Sequence, residues 1–162
     1  CYAYNVQVKR VGRFDVQKAN ALNIPKKLWS ILQKQQSVEF EGKTYTSDMV
    51  LGSPRKGIKV SYCTDTRPTK ELPAFVENSD LFICEGMYGE KDKIQKAKEY
   101  KHMMFTEAAE IAKKANVNEM WLTHFSPAMP FPEEFLPSAK EIFENTHIGK
   151  DRKNVTLLFE ED

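Results

Sequence analysis

Three short apolar runs, residues 58–63, 81–84 and 119–123, each break directly into a polar turn, with helix-patterned segments between them. The turns read Thr64-Asp65-Thr66-Arg67-Pro68, Glu85-Gly86-Met87 and His124-Phe125-Ser126. Strands alternating with helices indicate a layered α/β fold. In such layers, side chains just beyond the carboxyl ends of strands face one shared crevice. Asp65, Glu85 and His124 can therefore converge although they lie far apart in sequence. His102, just ahead of a helix expected to begin near Thr106, can join them. Carboxylate and imidazole form the ligand set preferred by zinc and similar divalent metals.

The amino-terminal third is patterned differently. Tyr2-Ala3-Tyr4-Asn5-Val6-Gln7-Val8 alternates with period two and reads as a strand. Asp15 is placed to cap a helix over residues 16–22, Asn23-Ile24-Pro25 breaks it, and Pro25 suits the first turn of a second helix over 26–33. Segments 38–40 and 43–45 flank Glu41-Gly42 as a hairpin. Further on, a helix is expected over residues 69–78, and the 90–100 stretch is helix-prone. Ala108, Ile111, Ala112 and Ala115 follow helical spacing behind a cap at Thr106. A short helix near 138–143 and a last strand over 155–159 complete the expectation.

At 162 residues and 41% hydrophobic, the chain is long enough for one domain with a real core. Its formal charge of +1 leaves nucleic-acid contact to a local patch, for which Lys9, Arg10, Arg13, Lys18, Lys26, Lys27 and Lys34 are the candidates. A solvated helix face has the same composition. No apolar run approaches a membrane span, so no membrane partner and a cytoplasmic location are the expectation. Cys1, Cys63 and Cys84 lack Cys-x-x-Cys spacing, which argues against a disulfide framework or thiolate zinc site. The start at Cys1, directly in a strand, reads as a piece of something longer.

Each candidate has a bland alternative. Asp65 in a Thr/Pro turn needs no function, whereas a carboxylate in that place can bridge two cations. His124 at a strand end can be a hydrogen-bonded surface residue or a ligand. Glu85 and His102 are the natural acid–base pair, since a histidine held by a carboxylate keeps a proton suited to a leaving alkoxide; as a turn acid and a member of a polar run they need no such role. His147 has no comparable partner and reads as structural.

Together, Gly12-Arg13-Phe14-Asp15, the stretch from Gly57 through Asp65-Thr66-Arg67-Pro68, and Leu122-Thr123-His124-Phe125-Ser126 resemble the C-terminal half of the ribonuclease Z family of the metallo-β-lactamase superfamily. Ile83-Cys84-Glu85-Gly86-Met87-Tyr88 stands where that family has a His-Glu-Ala-Thr-Phe type segment. The resemblance implies half of an αββα sandwich spanning residues 1–162, with residues 9–50 as a reduced form of the arm that grips transfer RNA. It also implies Asp65 as bridging metal ligand, His124 as the last histidine ligand, and His102 with Glu85 as the pair that protonates the leaving group.

The implied activity is endonucleolytic removal of 3′ trailers from precursor tRNA, by water activated by two metals, usually Zn2+ and otherwise Mn2+ or Mg2+. Implied partners are precursor tRNA or another RNA or phosphodiester substrate, the N-terminal half of the same protein, and a second copy in a homodimer. Hydrolysis of a smaller phosphodiester or ester, or a non-catalytic partner or RNA-contact role, are the alternatives. The family's His-x-His-x-Asp-His motif is absent, Pro25-Lys26-Lys27-Leu28-Trp29 replaces the arm's Gly-Pro element, and Met129 stands where many members carry arginine. With only half a ligand set, the 162-residue piece alone is expected to be inactive and to self-associate or need its other half.

Overall fold

The computed structural model describes residues 1–160, which separate into two compact units. One comprises residues 1–8 and the chain from residue 58 onward; the other is residues 9–57.

The larger unit is built on a sheet of five strands in the order β1-β4-β5-β6-β7. These are β1 (Ala3–Arg10), β4 (Arg55–Cys63), β5 (Leu81–Glu85), β6 (Glu119–Thr123) and β7 (Thr146–Ile148). Strands β4 to β7 run parallel, with Cys63, Cys84, Leu122 and Ile148 aligned across one row. These four residues are buried against α3 (Leu72–Val76), α5 (Phe105–Lys114) and α6 (Leu136–Lys140). Helix α5 supplies the anchor, burying Phe105, Ala108, Ala109, Ile111 and Ala112 on one face. Burial of Phe or Ile contributes about 1.5–3 kcal/mol each.

Asn5 accepts a hydrogen bond from Ser61 Oγ at 2.5 Å, and its amide reaches the Phe75 carbonyl at 2.9 Å, so Asn5 faces the helices. Alternation along the strand then puts Tyr2, Tyr4, Val6 and Val8 on the opposite face, where all are at least half exposed.

In the smaller unit, α1 (Val16–Ala21) is capped by Asp15, which accepts from Lys18 N–H at 2.9 Å. Helix α2 (Lys26–Leu32) buries Leu28 and Leu32 beside Ala19, Ile24 and Val50. Strands β2 (Ser37–Phe40) and β3 (Lys43–Thr46) pair antiparallel around Glu41 and Gly42, both at positive φ (52° and 72°). That is the two-residue hairpin geometry that favours glycine.

Three sequence expectations need correction. The last strand is not 155–159 but β7, which pairs with β6 at Met120–Leu122; Thr-His-Ile is too short and polar to signal itself, and Thr146 is held by donating to the Phe143 carbonyl at 2.6 Å. Residues 155–159 join no ladder among the described residues, and Leu158 is exposed. Thr106 is not the cap of α5: Met104 is, with Glu107 accepting its N–H at 2.9 Å. The helix expected over 69–78 shrinks to Leu72–Val76, because Glu77 returns to extended backbone and Asn78 takes φ 54°. Helices also differ at other ends: α6 begins at Leu136 with Pro137 in its first turn, and residues 94–100 form α4 (Ile94–Tyr100).

Candidate metal and proton-transfer centre

The carboxyl ends of β4, β5 and β6 deliver Asp65, Glu85 and His124 to one place. Strand β6 stops at Thr123, whose carbonyl accepts from Gly86 N–H at 2.8 Å. His124 then turns away with φ 58°, a left-handed conformation that histidine tolerates better than most side chains. His102 arrives from the other side. Lys101, at φ 62°, ends α4, and the His102 N–H bonds back to the Ala97 carbonyl at 2.8 Å. Both histidines thus sit on or beside a left-handed residue, a local reversal that their sequence surroundings do not announce.

One donor atom from each of Asp65, His102 and His124 lies within 4.8 Å of the others. His124 Nε2 is 3.4 Å from Asp65 Oδ2, and the two imidazole rings are 5.4 Å apart. Asp65 and His124 are exposed, while His102 is partly covered. One carboxylate and two imidazoles around a single point fit a divalent metal such as zinc, whose catalytic sites combine three protein ligands with an open position.

Behind this cluster, Glu85 is fully buried, and His102 Nδ1 lies 3.0 Å from its Oε2. An ionised carboxylate can only accept, so with Glu85 ionised the bond takes its proton from Nδ1 and Glu85 fixes the ring. Burial pushes the Glu85 carboxyl above the usual range, opposed by hydrogen bonds from the Thr66 and Met103 amides and by the charge of His102. The Thr66 N–H donates to Glu85 Oε1, tying the residue after Asp65 to the Glu85–His102 pair. Tyr88 meets His102 edge to face, with centroids 6.4 Å apart.

All four sequence candidates therefore meet. Sequence reasoning did not foresee that His102 lends a donor atom to the cluster of Asp65 and His124, nor that Thr66 and Arg67 hold the pieces together. His147 stays apart, with Nε2 2.9 Å from Asn145 Oδ1 and 3.8 Å from Glu119. Cys63 and Cys84 are buried free thiols; burial pushes Cys63 up to about 11 and Cys84 upward as well, which makes both poor nucleophiles at neutral pH. Met129 is buried in the core of the larger unit.

Residues 13–125, which include all four site residues, match the family described as the beta-lactamase superfamily domain. The chain is 58% identical over its whole length to ribonuclease Z of Agathobacter rectalis, of which it covers 54%. It is also 58% identical over 160 residues to ribonuclease Z of Clostridium acetobutylicum, covering 99% of this chain and 52% of that protein. The chain thus spans about half the length of the curated relatives it matches.

Among solved structures, the metallo-beta-lactamase fold protein YhfI of Bacillus subtilis superposes with TM-score 0.51 and 30% identity, over 57% of this chain and 37% of that one. Human tRNase Z, short form, gives TM-score 0.50 at 18% identity over 72% and 37%, a likeness of fold. Strand ends that gather a carboxylate and two histidines, and a family match that contains them, agree: the chain belongs to the beta-lactamase superfamily domain family, with the metallo-β-lactamase fold.

Proposed function

We propose that this chain is the C-terminal part of a ribonuclease Z-like hydrolase that removes 3′ trailers from precursor tRNA. The observation that carries the reading is the convergence of Asp65, His102 and His124 within 4.8 Å, backed by buried Glu85, in a chain 58% identical to ribonuclease Z relatives. In this reading Asp65 and His124 hold metal, preferably Zn2+, with Mn2+ or Mg2+ as substitutes. A divalent ion held there supplies Lewis acidity and a low pKa for attacking water. Glu85 orients the His102 ring through Nδ1, which leaves Nε2 to hand a proton to the departing alkoxide.

A second reading is favoured by one observation, the His102 donor atom inside the cluster. Metal-bound histidines commonly give their other N–H to a carboxylate, and Glu85 is placed to accept it. His102 would then be a third ligand.

In this reading residues 9–50, which lie within the compact unit of residues 9–57, are a reduced counterpart of the tRNA-gripping arm. Of its basic side chains, Lys18 is engaged with the Asp48 and Leu51 carbonyls and Lys27 lies 3.7 Å over the Phe40 ring. No helix of the described residues is long and apolar enough to cross a membrane. In this reading the full-length enzyme works in the cytoplasm as a homodimer.

The test is cleavage of precursor tRNA carrying a 3′ trailer by the full-length protein. Cutting at the trailer junction, abolished by chelation and restored by Zn2+, is expected. Inactivity on precursor tRNA with turnover of bis-p-nitrophenyl phosphate would replace this reading with that of a small-phosphodiester hydrolase.

A further inference from the structure

Arg67 lies two residues beyond Asp65 on the same loop, yet its guanidinium points at the other half of the centre. Its Nη1 donates to the His102 carbonyl at 2.6 Å and to Glu107 Oε2 at 2.7 Å, while Nη2 pairs with Glu107 Oε1. Glu107 Oε2 also accepts the Met104 N–H at 2.9 Å, closing the first turn of α5. One bidentate ion pair therefore joins three segments: the loop carrying Asp65, the residue His102 itself, and the start of α5.

Exposed ion pairs contribute little. This pair is different in kind. Its side chains are only 25% and 19% exposed, its geometry is fork to fork, and each partner makes a further bond to backbone. A second tie, from Thr66 N–H to buried Glu85 at the end of β5, leaves Asp65 on a loop pinned by the two residues that follow it. Asp65 and His124 are exposed and His102 is partly covered, so the packing at the cluster itself is thin, and the spacing of its donor atoms depends on what grips their backbones from behind.

We infer that Arg67, locked by Glu107, is a positioning residue that sets the separation of Asp65 and His102, and with it metal affinity and proton transfer. Neither Arg67 nor Glu107 belongs to the donor cluster, so they act through Asp65 and His102. Lysine in place of Arg67 keeps the charge, but a point charge cannot fill the carboxylate fork and reach the His102 carbonyl in a fixed plane.

The inference rests on the metal-centre reading above, and its test separates the two. Full-length protein and its Arg67→Ala, Arg67→Lys and Glu107→Gln variants are freed of metal and titrated with Zn2+ against a chromophoric chelator. Circular dichroism at the working temperature establishes that each is folded. Arg67→Ala should bind Zn2+ about tenfold more weakly, in the range seen when an outer partner of a metal ligand is removed. Its kcat on precursor tRNA should fall about 10²-fold, the effect of a misplacement near 1 Å, with KM within about twofold. Arg67→Lys and Glu107→Gln should fall between it and the unsubstituted protein, and they decide the matter if Arg67→Ala does not fold. Folded variants that keep both Zn2+ affinity and kcat would overturn the inference. If the unsubstituted protein itself leaves precursor tRNA intact, the functional reading fails, and the Zn2+ titration alone still decides the role of Arg67.

Discussion

Replacing Asp65 with alanine in the full-length protein should strip both metal and activity. The carboxylate is the only acidic donor in the cluster, and 3.4 Å away His124 offers a single nitrogen. Glu85 cannot stand in for it. Its Oε2 is taken by His102 and its Oε1 by the Thr66 amide, and it is fully buried. Loss of a direct ligand should weaken Zn2+ binding by more than the roughly 10–100-fold typical of an outer partner. Metal analysis by inductively coupled plasma mass spectrometry, alongside turnover, checks this. An Asp65→Ala protein that retained its metal and its turnover would place the centre elsewhere.

His102→Ala divides the two roles open to that residue. As general acid, its removal should leave metal content unchanged and lower kcat by about 10²–10⁴-fold. Glu85→Gln should fall in the same direction, and the double variant should be no worse than His102→Ala alone, because Glu85 acts through the ring it orients. A substrate whose leaving group is already acidic, such as a p-nitrophenyl phosphodiester, should lose far less, since it needs no proton. Loss of metal in His102→Ala would instead make this histidine a third ligand, with Glu85 as the carboxylate behind it.

How much of this was legible beforehand differs by element. Strand β6 could be read to the residue, because Glu119–Thr123 is apolar in its middle and flanked by a helix and a turn. Its neighbour β7 could not: Thr-His-Ile carries no apolar alternation and exists only through pairing with Met120–Leu122. Asp65, Glu85 and His124 were visible at strand ends and His102 ahead of a helix, and the family resemblance implied roles for them. What stayed hidden was the means of convergence. Left-handed backbone at Lys101 and His124 involves neither glycine nor asparagine, so no local signal marks it. The reach of Arg67 to His102 and Glu107 spans 35 and 40 residues, and a Thr-Arg-Pro turn reads as punctuation until the partners are seen. Periodicity records which face of an element is buried; it does not record long-range ion pairs.

In the proposed reading Asp65 and His124 share one metal-binding centre with the Glu85–His102 pair beside it. The most direct measurement is an anomalous difference map, collected at the zinc absorption edge from crystals of the full-length protein grown with Zn2+. A peak should lie about 2.0–2.2 Å from an Asp65 carboxylate oxygen and from a His124 ring nitrogen, with His102 still hydrogen-bonded to Glu85. A zinc peak held by other residues, with Asp65 and His124 turned to solvent, would contradict the account.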